Sequence, residues 1–368
     1  MPHPQFDRTL VRFKPLAERY NQYTVASNHV PVDAAPSRLS AAAAEVVTET
    51  VRRMVEAREA GRPVILAFGA HAIKNGLGKV LISLMEDGWL THLATNGAGI
   101  IHDWEFAYQG KSSEDVRANI GEGQFGIWSE TGFNINLALL VGAYEGLGYG
   151  ESIGSMILHD GVDVPDADEL ASAVGRIVYT DCRKAAAAAD LLGAIEKFKL
   201  ARGWHAIAHP FKEYSVQAAA LRLGVPFTGH PMFGHDIIYT HPLNHGAAIG
   251  RTAERDFLAF ATNVSQLEGG VYLSVGSAVM SPMIFEKAFS MSQNVGIQNG
   301  KPIRNHFIAV VDLAESTWDW SGGEPPKDNP AYYLRFCKTF SRMGGTMRYA
   351  QADNRDFLLS LRRGLRAS

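Results

Sequence analysis

Two apolar runs within residues 65–105, ILAFGAHAIKNGLGKVLISLMEDGWLTHLATNGAGIIHDWE, each end in a turn of small residues, Gly69-Ala70-His71 and Asn96-Gly97-Ala98-Gly99. Each turn then opens a helical pattern. In an open parallel sheet, strand ends and the starts of the following helices build the ligand crevice. Bare backbone N–H groups at a helix start favour an anion such as a phosphate. The second turn also delivers His102, Asp103 and Glu105 just past its glycines. A nucleotide cradle and titratable groups are therefore expected side by side.

The rest of the chain repeats that strand–helix rhythm. A helix is predicted after Ser37 or Ser40 and up to Gly61. PVILAFGA reads as a strand, LGKVLISLMEDG as a helix, LTHLATNG as a strand and IIHDWEFAYQG as a short helix. The middle is helix-rich: INLALLVGAYEGLG, DADELASAVGRIV and DCRKAAAAADLLGAIEKFKLARG. EYSVQAAALRLG then leads into the strand VPFTG. Towards the end GGVYLSVGSA, HFIAVVDL and TMRYAQA read as strands. SPMIFEKAFSMSQN, NPAYYLRFCKTFSRMG and DNRDFLLSLRRGL read as helices. Strands separated by helices predict a mostly parallel sheet covered on both faces. The expected organisation is an N-terminal arm, residues 1–36, lying on the body or on a neighbouring subunit, then one α/β domain, 37–368. The breaker-rich stretch TWDWSGGEPPKDNP, 317–330, reads as a surface loop able to cover a site.

Composition narrows the partners. The chain is 46% hydrophobic and 20% charged with a net charge of -3, so nothing electrostatic points to nucleic acid or to an anionic membrane. No apolar run approaches the roughly 18 residues of a membrane span. The first residues, MPHPQFDRTLVRFKPLAERY, lack the apolar stretch of a secretory leader. Cys182 and Cys337 stand far apart and fit free thiols in a reducing cytoplasm.

Several familiar motifs fail. GLGK at 76–79 lacks the earlier glycine and the following Ser or Thr of a phosphate loop. Gly97-x-Gly99 has His102 where a dinucleotide fingerprint has its third glycine. A tight turn without ligand would look the same. GHPMFGHDIIYTHPLNHG carries His230, His235, His241 and His245 with Asp236, all possible metal ligands at neutral pH. Its spacing matches no HxxxH or HExxH helix except His241 to His245, which Pro242 interrupts. His102 and Asp103 are the right types for an acid/base pair, although neighbours on a helix diverge. Glu105, three residues on, shares the face of His102.

The order of these segments resembles deoxyhypusine synthase, most closely the bacterial deoxyhypusine-synthase-like proteins. AFGAHAIKNG is similar to that family's T-S-N-x-x-S-S-G turn, and LATNGAGIIHD to its T-T-A-G-G-x-E-E-D segment. YSVQAAALRLGVPFTGHPMFGHDII, GGVYLSVGSAVMSP and YAQADNRDFLLSL match its later anchors in order, so the likeness spans roughly residues 60–360. The resemblance implies one Rossmann-like, NAD-binding domain assembled as a homotetramer. It implies cofactor contacts at Gly69, Ala70, His71, Asn75, Asn96, Gly97, Ala98, Gly276, Ser277, Asp353 and Asn354. The family's activity is NAD-dependent polyamine oxidation with aminobutyl transfer through an enzyme-lysine imine.

Departures from the family shape the expected chemistry. A polyamine-binding glutamate falls on His102. Family aspartates fall on His230 and near His235-Asp236. A base-like histidine falls on Ser281 or Pro282, and the imine-forming lysine has no counterpart, its nearest match being Arg335. Arginine stays protonated and cannot act as an amine nucleophile. Lys74, in the first turn, is the fallback nucleophile. The expected catalytic set is His102, Asp103, Glu105, His230, His235 and Asp236, with no resident metal. The reading is a cytoplasmic, NAD-dependent transferase or oxidoreductase acting on a small amine or amino-acid-like substrate. Its rivals are a metal enzyme built on His230–His245 and a non-catalytic nucleotide-binding protein.

Overall fold

A computed structural model describes residues 3–368. Its centre is a parallel sheet of β1 (Val64–Phe68), β2 (His92–Asn96), β3 (Phe227–His230), β4 (Val271–Val275), β5 (Phe307–Asp312) and β6 (Thr346–Gln351). Across the sheet the six strands run β3-β2-β1-β4-β5-β6. That is the order of the doubly wound dinucleotide-binding folds. The chain steps outward from β1 to β3, returns past β1 to β4, and steps outward again. The reversal lies between the C-terminal ends of β1 and β4.

The central strands β1 and β4 are buried on both faces, which is why they read as apolar runs, whereas the edge strand β6 is partly exposed. In β1 the side chains alternate between two cores. Leu66 and Phe68 join Leu93, Ile100 and Trp104 on one face, while Ile65 and Ala67 join Phe260, Tyr272 and Phe285 on the other. The first face is covered by α1 (Ala41–Glu59), α2 (Ala70–Lys74), α3 (Gly78–Glu86), α4 (Gly97–Gln109), α5 (Ser129–Glu145), α6 (Tyr149–His159), α7 (Val216–Leu223) and the last helix. The second is covered by α8 (Gly246–Val264) and α9 (Met280–Gln298); the last helix is α10 (Asn354–Ala367). Ser40 caps α1 through the Ala43 N–H, as its sequence predicts.

Two long helices escape the sequence pattern. In α6, Gly150 packs directly on β3, where a Cβ would lie 2.2 Å from the Phe227 carbonyl oxygen. Its glycines hide the helical signal because the packing needs them. In α8 the buried stripe includes Asp256, whose carboxylate accepts from the Gly150 and Gly229 N–H groups at 2.8 and 2.6 Å. A carboxylate in a core stripe breaks an apolar period. The helix expected over residues 329–344 is divided. A 3-10 turn, Pro330–Tyr333, precedes the helix Arg335–Ser341, with Leu334 at ψ 76° between them. The loop 317–330 buries Trp320 at 3% exposure in the core of the second face. It seals that core rather than covering a ligand site.

Residues 3–36 lie on the body. Leu16 and Val30 are buried, Tyr23–Thr24 pairs with Lys111–Ser112 as a short antiparallel ribbon, and Arg8 donates to Tyr239 and Asn244. Among the described residues no helix is long and apolar enough to cross a membrane.

At the reversal point the backbones touch. A Cβ on Gly69 would lie 2.0 Å from the Gly276 carbonyl oxygen, and Gly276 itself has φ +58°. Gly69→Ala is expected to lower stability by about 1–3 kcal/mol, since neither backbone can yield. Urea unfolding measures it, and a variant within about 0.5 kcal/mol of the parent contradicts the packing.

Candidate functional site

Beyond the end of β2 a cavity of about 210 Å³ opens beside α4. Arg19, Lys74, Ala98, His102, Glu105, Glu114, His235 and Asp236 line it. Five pieces of chain meet there: the N-terminal stretch, the end of α2, α4, the segment 113–125 and the loop that follows β3.

One wall is a chain of charge-assisted hydrogen bonds. Arg19 donates to both oxygens of Glu105 at 2.8 and 2.6 Å, and both side chains are 1% exposed. Burial opposes ionisation of Glu105, yet the Arg19 charge holds its carboxyl below the ordinary value. An ionised carboxylate only accepts, so the Ser112 hydroxyl donates to it, at 2.6 Å. Ser112 must then accept from His102 Nδ1–H, at 2.7 Å. This leaves His102 Nε2 as a bare acceptor. Burial pushes the ring down to about 4, against the pull of Glu105, so His102 is neutral and a weak base. Glu114 is spent internally, accepting from Gly126 N–H, Asn119 and the Trp128 indole.

Asp103 turns the other way. It accepts from Ser215 Oγ, from the Val216 and Gln217 N–H groups and from Gln217 Nε2, pinning the start of α7. It is a bolt between helices and does not orient His102.

Asp236 is the exceptional group. Its carboxylate rests on the start of α4, where a Cβ at Gly97 would fall 2.0 Å from Oδ2. Gly97 is therefore a glycine that makes room for Asp236. Oδ2 is buried without a hydrogen-bond partner, as are the hydroxyls of Tyr149 and Tyr239. Desolvation pushes Asp236 up to about 7, and its charge raises both tyrosines further. Lys74, across the lining, has no acidic partner among the described residues; its Nζ lies 5.4 Å from the Tyr23 ring centroid. Burial lowers its pKa. The sequence offered Asp236 only as a member of a histidine cluster, and no local motif marks it as a solitary buried acid.

The histidines of that cluster separate. His235 is exposed at the cavity rim. His230 is buried at the end of β3 on the α8 face, its Nε2 2.9 Å from Thr228 Oγ1, and Thr228 in turn meets His92 at 3.0 Å. Burial lowers the His230 ring to about 3. His241 sits between Phe13 and Phe133, and His245 caps α8. Among the described residues, no three His, Cys, Asp or Glu side chains come together as metal ligands.

The expected cofactor residues gather at the C-terminal edge of the sheet, with unequal freedom. The Asn96 and Asp353 side chains accept from their own helix starts, at Gly99 N and Arg355 N. Gly97 lies under Asp236. Asn75 ends α2, Ser277 Oγ accepts from Ser281 N, and Asn354 packs on Gly276. The N-cap residue of α2 makes no side-chain cap. Gly69, Ala70 and His71 lie there beside Gly276 and Ser277, at the strand-order reversal.

No family model matches the chain, and no curated protein matches it. Several solved structures are similar to it at low identity. AgrE, solved with ornithine and NAD+, is 15% identical at a TM-score of 0.44 over 90% of this chain and 34% of AgrE. An LOR/SDH protein of Methanococcus maripaludis S2 is 12% identical at 0.43, over 90% of this chain and 72% of that one. A candidate deoxyhypusine synthase from Entamoeba histolytica is 9% identical at 0.42, over 88% and 87%. The chain spans about a third of the length of AgrE and of the cyanobacterial arginine dihydrolase ArgZ.

Two outcomes follow for stability. Arg19→Met strands a buried carboxylate and should cost about 3–5 kcal/mol near pH 7. The Glu105 pKa is lowered in the fold, so the pair's contribution is present above the ordinary carboxylate value of 4.5 and fades as pH falls. The gap between variant and parent should therefore shrink near pH 4 in urea titrations. Asp236 has the opposite sign, since its raised pKa makes ionisation costly in the fold. Asp236→Asn should stabilise by at least about 1 kcal/mol near pH 8 and by less near pH 5. Equal effects at both values contradict the assigned ionisation.

Proposed function

We propose that the protein is an NAD-binding α/β enzyme that dehydrogenates a small amine or amino-acid-like substrate, with Asp236 as the proton acceptor. The observation that carries this is the unpartnered Asp236 carboxylate, which titrates near 7 inside a cavity at the C-terminal edge of a 3-2-1-4-5-6 sheet. A base tuned to the working pH is what proton removal from nitrogen or oxygen requires. His102 reads as a hydrogen-bond acceptor for substrate rather than as the base, because its neutral form persists to about pH 4.

The turns at Gly69–His71 and Gly276–Ser277 would hold the dinucleotide. When bound, NAD would supply the acceptor for the substrate's hydride. The chain's own part is to take the substrate proton on Asp236, to hold the substrate through His102 Nε2 and Lys74, and to exclude water with the N-terminal stretch. A metal-centred reading has no support from the scattered histidines.

Millimolar NAD should raise the unfolding midpoint by a few degrees, about 2.7 kcal/mol at a hundredfold excess over Kd. No shift removes NAD from the account. Asp236→Asn should lower kcat by about 10²–10⁴ and abolish the rise of rate with pH through about 7. A variant that keeps this limb places the base elsewhere.

A further inference from the structure

We infer that this cavity selects a zwitterion, an amino acid held by its ammonium on Asp236 and its carboxylate on Lys74, in preference to a diamine or a dicarboxylate. The inference rests on the cavity being the substrate site and goes on to name the substrate class.

The argument is an inventory of what the lining has left to offer. Arg19 and Glu105 neutralise each other with both carboxylate oxygens used. Arg19 Nε is occupied by Asn21. Each oxygen of Glu114 already accepts a hydrogen bond. Apart from the Ser113 hydroxyl and the exposed His235 at the rim, what remains is Lys74 Nζ as a donor, with the Asp236 carboxylate and His102 Nε2 as acceptors. A partly buried lysine without a carboxylate and a buried carboxylate without a cation are each costly alone. One ligand bearing both complementary charges relieves both.

The acidic end has the features of an ammonium receptor. Asp236 lines the cavity, and its Oδ2 has no hydrogen-bond partner. An ammonium has N–H groups to give, and carboxylate oxygens are acceptors. A diamine would bring a second cation to Lys74, and a diacid a second anion to Asp236. Like-charge juxtaposition of this kind discriminates more strongly than a lost contact.

The test is calorimetric titration of the full chain with ω-amino acids from glycine to 6-aminohexanoate, each beside the diamine and the dicarboxylate of equal carbon count. At the best length the amino acid should bind at least about tenfold more tightly than either counterpart. Lys74→Met, with Lys74→Gln as a second variant, should erase the advantage over the diamine. Asp236→Asn should erase the advantage over the dicarboxylate. Equal binding of the diamine, an unchanged ranking in the variants, or no binding by any amino acid overturns the inference. Reduced NAD, followed in the same samples, separates the two ideas. The predicted ranking without NAD reduction defeats the dehydrogenase reading and leaves the selection intact, whereas NAD reduction with diamines alone does the reverse.

Discussion

The buried Arg19–Glu105 pair ties together pieces of the molecule that otherwise have little in common. Arg19 comes from the N-terminal stretch and Glu105 from α4, and their side chains meet in bidentate contact at 1% exposure. Forming such a pair gains little over an apolar substitute, but breaking it is expensive because a lone charge is left in the interior. The pair therefore acts mainly as a constraint on position. It docks the N-terminal stretch over the mouth of α4, keeps Glu105 ionised, and so orders Ser112 and then the tautomer of His102. One ion pair, three residues away, decides which nitrogen the cavity sees.

A second constraint is the density of backbone packing at the C-terminal edge of the sheet. Gly69 and Gly276 let the turns after β1 and β4 touch, and Gly97 lets a carboxylate lie on the start of α4. These contacts divide the edge into two zones. The zone between β1 and β4 holds the start of α2, whose N-cap Gly69 supplies no side-chain cap. The zone beyond β2 is already occupied by an acid, Asp236, at its helix start.

Much of the fold was legible because its signals are local. The strands β1 and β4 are apolar runs bounded by glycine or proline, and caps such as Ser40 and Asn96 stand where a capped helix needs them. What hid from the sequence were elements whose residues serve distant partners. Gly150 in α6 and Asp256 in α8 contradict helical patterning because each answers to β3 or its neighbourhood. The site was half legible for the same reason. His102 and Glu105 share one helical face, so their spacing announces them. Asp103 has the same local credentials, yet its partners lie in α7, more than a hundred positions away. Asp236 carries no motif at all. Its importance comes from burial without a partner, which only the packing of a long loop against Gly97 creates.

The central claim is that Asp236 is a solitary carboxyl poised to meet an amine. The most direct measurement is its ionisation by carbon NMR with labelled aspartate carboxyls, assigned by the Asp236→Asn variant. The account predicts a midpoint close to the value of about 7 set by desolvation. It also predicts a drop of at least about one unit when the best-bound ω-amino acid of the titration series is added, because a nearby cation favours the charged form. A midpoint in the ordinary aspartate range near 4, unmoved by the amino acid, would contradict it.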